Sequence, residues 1–303
     1  MGAKTEINWC DATWNPVIGC TKVSSGCANC YAEKVAKRFG TAGEYYNNVV
    51  KDDGYGTPTG WNGLTVRKQP KFNPLTARKP RTIFVCSMGD LFHERVLDDW
   101  IDEVMETIKA ASWHRYMILT KRPKQMLSYM RIFPWGKPPS NLALGVSIED
   151  QATADKRIPL LLQTPAAKRF VSFEPALGPV NLCTSGGLWS DMNNQPVKNG
   201  HSIGHGIDLV IMGGESGPKA RPMHPDWARS MRDQCASAGV PFHFKQWGEW
   251  APNCLCDTRE AHKTIKRPQP GKPGVMFRCG KKTPDESLTV SSITDQSSGR
   301  TEP

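Results

Sequence analysis

The sequence predicts a parallel α/β fold. Six short apolar runs recur along the chain, stretches with helical periodicity separate them, and polar or charged residues follow each run. In order the runs are TIFVCSM (82–88), RYMILT (115–120), LALGVSI (142–148), RFVSFE (169–174), DLVIMGG (208–214) and PFHFKQW (241–247). Each is too short for a helix and mostly apolar without alternation, the pattern of parallel strands buried on both faces. Between them, Val96, Ile101, Val104, Met105 and Ile108 fall near helical spacing, and residues 151–163 and 225–238 are similar in length and pattern. Strands alternating with helices imply a parallel sheet joined by right-handed crossovers.

The residues that end the runs are Met88-Gly89-Asp90, Thr120-Lys121-Arg122, Ser147-Ile148-Glu149-Asp150, Ser172-Phe173-Glu174-Pro175, Gly213-Gly214-Glu215-Ser216 and Lys245-Gln246-Trp247-Gly248-Glu249. In a parallel barrel or open parallel sheet these carboxyl ends converge on the face where ligands bind. Taken singly, each reads as a helix N-cap, a role that suits Asp150 and Ser216. Taken as a series, they read as one site.

With 303 residues the chain has room for one large domain or two ordinary ones. We expect a barrel-like domain over 1–250 and a largely irregular extension over 251–303, its tail from about 281 disordered because it has almost no large apolar residues. Residues 40–80 and 181–206, rich in Gly, Asn and Pro, read as insertions, the first with a hairpin. No run approaches 18 apolar residues, and the start lacks a basic segment followed by an apolar one. The expectation is a protein of the cytoplasm with no membrane partner. The net charge of +10 favours a polyanionic partner modestly; a solvated surface explains it equally well.

Four of the ten cysteines fall in the first thirty residues. In a long chain without an export signal, metal binding explains them better than disulfides. Cys20, Cys27 and Cys30 form a C-x6-C-x2-C loop that opens into a helix at about 31–39 and follows the strand-like TWNPVIG. Three thiolates can hold three irons of a [4Fe–4S] cluster and leave the fourth iron open to a ligand. If Cys10 joins them, the set becomes a closed four-cysteine zinc site, structural and inert. Cys86, Cys183 and Cys235 read as buried thiols. Cys254, Cys256, Cys279 and His262 have poor spacing for a second site, and His93 and His114 read as structural or surface groups. Trp9, Trp14, Trp61, Trp247 and Trp250 could stack on bases, although core packing explains each more simply.

The segments INWCDATWNPVIGCTKVSSGCANCYAE, SMGDLFHE, LTKRP, GVSIEDQ, RFVSFEPALGPV, IMGGESGPKARPMHPDW and HFKQWGEW resemble a family of uncharacterised phage and bacterial proteins. That family is grouped with the radical S-adenosylmethionine (SAM) enzymes and is somewhat like spore photoproduct lyase. The likeness runs from about residue 6 to 250. The usual triad of the superfamily is C-x3-C-x2-C, and this chain has three more residues between its first two cysteines.

The resemblance implies a partial (β/α)6 radical SAM-type barrel with a [4Fe–4S] cluster at its top. S-adenosylmethionine would chelate the open iron. One electron, supplied by an electron donor, would cleave it to methionine and a 5′-deoxyadenosyl radical that abstracts hydrogen from the substrate. Cys20, Cys27 and Cys30 match the cluster triad. Met88, Gly89 and Asp90 match the place that holds the methionine amino group. Ser147 and Glu149 are candidates for the ribose and carboxylate, Lys121 or Arg122 for the carboxylate, and Glu174 for the ribose hydroxyls. Glu215, Lys245, Gln246 and Glu249 are read as facing the substrate, for which a nucleic-acid base or nucleotide is the expectation, as in modification or repair of phage DNA. The alternatives are a non-enzymatic nucleic-acid-associated protein with a structural four-cysteine zinc site, and a degenerate barrel that keeps a cluster without turnover.

Overall fold

The structure, a computed structural model, describes residues 5, 7–40, 45–133, 136–182, 206–252 and 276–278. The expected disordered tail, most of the 181–206 insertion, and Cys183, Cys254, Cys256, His262 and Cys279 lie outside the described residues.

Seven parallel strands form a half-barrel, consistent with a partial radical SAM-type barrel. They are β1 (Ala12–Trp14), β6 (Thr82–Val85), β7 (Arg115–Thr120), β8 (Leu142–Ile148), β9 (Lys168–Phe173), β10 (Leu209–Gly213) and β11 (Phe242–Gln246), neighbours in that order. The smaller strands are β2 (Val17–Ile18), β3 (Val50–Asp52), β4 (Pro58–Trp61), β5 (Val66–Arg67), β12 (Trp250–Pro252) and β13 (Met276–Arg278). They pair antiparallel as β2 with β5, β3 with β4 and β12 with β13. The hairpin β3–β4 lies in the expected insertion over 40–80. TWNPVIG is not one strand: Asn15 and Pro16 break it into β1, which joins the main sheet, and β2, which leaves it. Pro has no amide to give a ladder, so a break there is expected.

Alternate residues of each strand face opposite sides. Ile83, Val85, Tyr116, Ile118, Leu144, Val146, Val171, Phe173, Val210 and Met212 face outward into one core, closed by α2 (Asp98–Ala110), α3 (Pro123–Arg131), α4 (Gln151–Gln163) and α5 (Pro225–Ala238). Ile101, Val104, Met105 and Ile108 of α2, Ile158 and Leu161 of α4, and Met231 of α5 supply the helical side. Truncating a fully buried strand residue such as Ile118 should cost about 2–5 kcal/mol. The inner face carries a second cluster of Phe84, Met117, Phe170 and Ile211, plugged from below by Trp9 and Cys10. The edge strands β1 and β11 alternate in burial instead; in β11, Phe242 and Phe244 face outward and His243 and Lys245 are only partly buried.

Asp150 caps α4, accepting from the Thr153 amide in a reciprocal capping box. Ser216 is no cap. The next helix, α5, starts nine residues later behind His224, with Pro225 at its first position and Gly239 at φ 67° closing it. Helix α3 escaped the periodicity because it spans only nine residues; its signal was Pro123, preorganised for a first turn. Among the described residues no helix is long and apolar enough to cross a membrane.

Candidate functional site

The cysteine loop lies across the carboxyl ends of the parallel strands. After β2 the chain turns at Gly19, where φ is +92° and a Cβ would come within 2.2 Å of the Leu64 carbonyl. The Gly19 amide donates to the Met88 carbonyl at 3.0 Å, and Gly19 bridges Gly89 in parallel register. Residues 20–30 then cross the mouth through a 3-10 turn (Ser25–Cys27) and enter α1 (Tyr31–Gly40), which packs on β4.

Three strand ends hold this loop by charged groups. From β7, Arg122 is 3% exposed and donates from Nη1 to Cys20 Sγ at 3.6 Å and Asp90 Oδ2 at 3.1 Å, and from Nε to Glu94 Oε2 at 2.7 Å. Its Nη2 donates to the Thr21 carbonyl at 3.1 Å and to Thr21 Oγ1. From β8, the fully buried Glu149 accepts from Ser24 Oγ at 2.8 Å, Lys121 Nζ at 2.9 Å and Arg157 Nη1 at 3.1 Å. Gly26 rests on this carboxylate: a Cβ there would lie 2.5 Å from Glu149 Cγ. From β10, Glu215 accepts from Asn29 Nδ2 at 2.9 Å and Arg221 Nη2 at 2.6 Å, while Arg221 also donates to the Ser25 carbonyl at 3.0 Å. Burial pushes the Glu149 carboxyl up, but Lys121 and Arg157 outweigh it and hold it below the ordinary range. Glu215 is likewise lowered, burial being outweighed by Arg221 and Asn29.

Cys20 and Cys30 pack against the apolar cluster that includes Ile18, Ala32 and Met88. Burial first, then the Asp90 charge, pushes the Cys20 thiol up to about 12 against the pull of Arg122. Burial also raises Cys30, opposed by the amides of Glu33 and Ala32 and reinforced by Cys27. Cys20 and Cys30 act on each other electrostatically, as do Cys27 and Cys30, so the three thiols share one neighbourhood. Cys10 sits elsewhere. It packs with Phe84, Met117 and Phe170 inside the half-barrel, where burial raises it to about 12 and the nearby charges are Asp11 and Lys245. Among the described residues no three His, Cys, Asp or Glu side chains are grouped to hold a single metal ion.

The other side of the mouth is built differently. Ser147 on β8 pairs in register with Ser172 on β9, Ser172 with Ile211, and Ile211 with His243, so these residues share the inner face above Phe170. At the rim, Lys245 Nζ donates to Glu174 Oε1 at 2.5 Å, with side chains 18% and 22% exposed.

A family model described as a protein of unknown function (DUF5131) matches residues 4–296. The chain belongs to that family. No curated protein matches it. Among solved structures, a cysteine-to-serine mutant of spore photoproduct lyase aligns with a TM-score of 0.42 at 9% identity, over 81% of this chain and 79% of that one.

In this DUF5131 protein the residues expected to meet S-adenosylmethionine fall into two groups. Asp90, Lys121 and Glu149 lie together but are engaged: Asp90 accepts from Thr120 Oγ1, the Lys121 amide and Arg122. Met88 is buried, and its carbonyl is taken by Gly19. Ser147 and Glu174 instead face the concavity. Of the residues read as facing substrate, Lys245 lies at the rim of the concavity paired with Glu174; Glu215 is bound to the loop, Gln246 Nε2 donates to Ser216 Oγ at 2.9 Å, and Glu249 accepts from the Gly217 amide at 3.3 Å. Arg157, Arg221, Ser24 and Asn29 were not singled out from sequence. Arg157 had a signal, a charge on the buried stripe of α4 beside Ala154, Ile158 and Leu161. His93, read as structural or surface, is buried and structural: its Nδ1 accepts from the Arg95 amide, which leaves Nε2 to donate to Thr21 Oγ1 at 3.0 Å. Tyr31, the first residue of α1, is half exposed and donates to the Ser87 carbonyl at 2.6 Å.

Proposed function

We propose that this protein is a radical S-adenosylmethionine enzyme whose Cys20, Cys27 and Cys30 hold a [4Fe–4S] cluster, and that its substrate is a nucleic-acid base or nucleotide. The observation that carries the reading is the placing of three thiols in one neighbourhood over the carboxyl ends of a parallel half-barrel, with Cys10 apart from them. The donor set fits such a group: three soft thiolate ligands leave one iron without a protein ligand. When bound, the cluster and S-adenosylmethionine supply a 5′-deoxyadenosyl radical; the protein's work is positioning and shielding. Asp90, Arg122, Glu149 and Glu215 hold the loop. Ser147, Glu174 and Lys245 face the concavity and are assigned to cofactor and substrate. The support for a nucleic-acid substrate is the net charge of +10.

Anaerobically purified protein should be brown and carry about four irons per chain. Cys27→Ala should lose the iron and Cys10→Ala should keep it. Incubation with dithionite and S-adenosylmethionine should release 5′-deoxyadenosine. A colourless protein with one tightly held zinc that needs Cys10 would replace this reading with the structural zinc site.

A further inference from the structure

Arg122 is the side chain that joins the sheet to a thiol, and its hydrogen bonds account for its whole donor capacity. A guanidinium has five N–H hydrogens in a rigid fork. Here Nε serves Glu94, the two Nη1 hydrogens serve Asp90 and Cys20 Sγ, and the two Nη2 hydrogens serve the carbonyl and hydroxyl of Thr21. Five hydrogens meet five acceptors, and one acceptor is a sulfur. The side chain is 3% exposed, with Asp90 and Glu94 fixing it on one side and Thr21 on the other. Among the described residues the other two thiols have neutral donors and no guanidinium: the Ser24 hydroxyl lies 3.9 Å from Cys27 Sγ, and the amides of Ala32 and Glu33 at the start of α1 act on Cys30.

A hydrogen bond to a ligand sulfur stabilises the extra negative charge of a reduced iron–sulfur cluster, so such bonds tune its potential. We infer that Arg122 is a positioning residue that raises the reduction potential of the cluster on the cysteine loop through its N–H···S bond to Cys20, with Asp90 limiting the effect. This rests on the cluster proposed above. Lysine keeps the charge but cannot reproduce the fork, which separates the directed bond from charge alone.

The test is an anaerobic redox titration of reconstituted protein, followed by the electron paramagnetic resonance of the reduced cluster, with iron per chain measured alongside. Arg122→Lys should bind as much iron as the wild type and have a more negative midpoint. At a fixed potential its reduced-to-oxidised ratio should fall about tenfold, 59 mV for one electron. Asp90→Asn keeps Arg122 and removes the opposing charge, so its midpoint should move in the opposite direction. Fully loaded variants with the wild-type midpoint, or both variants shifting the same way, would overturn the role of Arg122 and leave the cluster reading intact. A wild type that binds no iron overturns both.

Discussion

At the ends of β6, β7, β8 and β10, Asp90, Arg122, Glu149 and Glu215 are nearly excluded from solvent, at 6% exposure or less, and Arg122, Glu149 and Glu215 each bond a residue of the cysteine loop. At the ends of β9 and β11, Glu174 and Lys245 pair with each other and are about a fifth exposed. The same residue types at the same strand position therefore serve two ends. A buried charge must be paired and hydrogen-bonded, and once it is, exchanging that partner for a ligand costs more than the ligand returns. A partly exposed pair keeps water within reach and can trade partners more cheaply. One side of the mouth is scaffold for the loop; the other is where a ligand can displace an ion pair.

The sharpest way to break this contrast is to delete one charge from each side. Glu149→Ala leaves Lys121 and Arg157 facing each other without their carboxylate and frees Ser24, so urea unfolding should show a loss of about 3–5 kcal/mol. The loop should also become the first site of proteolytic cleavage. Glu215→Gln keeps the shape but trades a charge-assisted fork to Arg221 for neutral bonds, and about 1–3 kcal/mol should be lost. Lys245→Met should cost about 1 kcal/mol or less, since Glu174 can turn to water. Equal losses for Lys245→Met and Glu149→Ala in the same denaturation series would erase the distinction.

Sequence spacing located β7, β8, α4 and α5 to the residue, because long apolar runs and buried stripes record burial directly. It also brought the six strand ends to one face. What spacing could not record is which charge faces which. Glu149 and Glu174 both follow an apolar run of parallel strand, yet Arg157, two turns into α4, reaches back to neutralise one, while Lys245 from the edge strand meets the other. The first pairing spans 8 residues and the second 71, and neither leaves a periodic trace in the sequence. Arg122 was legible only as a cation beside Lys121; that it turns toward Cys20, 102 residues away, follows from the loop being laid over β7.

The gentlest probe of the contrast is pH, because one histidine sits on each side. Burial and then Arg122 push His93 below its ordinary 6.5, and burial and then Lys245 do the same to His243. A base with a depressed folded pKa binds its proton more readily when unfolded, so folding stability is complete above pH 6.5 and declines as pH falls toward the folded values. Each histidine can contribute at most about 1.4 kcal/mol per pH unit to that slope. Glu149 and Glu215 add nothing in this window, since their stabilisation is lost only below their ordinary 4.5, as pH falls through their lowered folded values. Urea midpoints of the iron-free protein between pH 7.5 and 5.5 should therefore fall gradually. His93→Gln, which keeps a donor for Thr21, should flatten the slope with the loop in place, and His243→Gln should flatten it without touching the loop. A slope unchanged in both variants would mean that neither histidine is held neutral by its surroundings, and the electrostatic contrast between the two sides would then rest on the carboxylates alone.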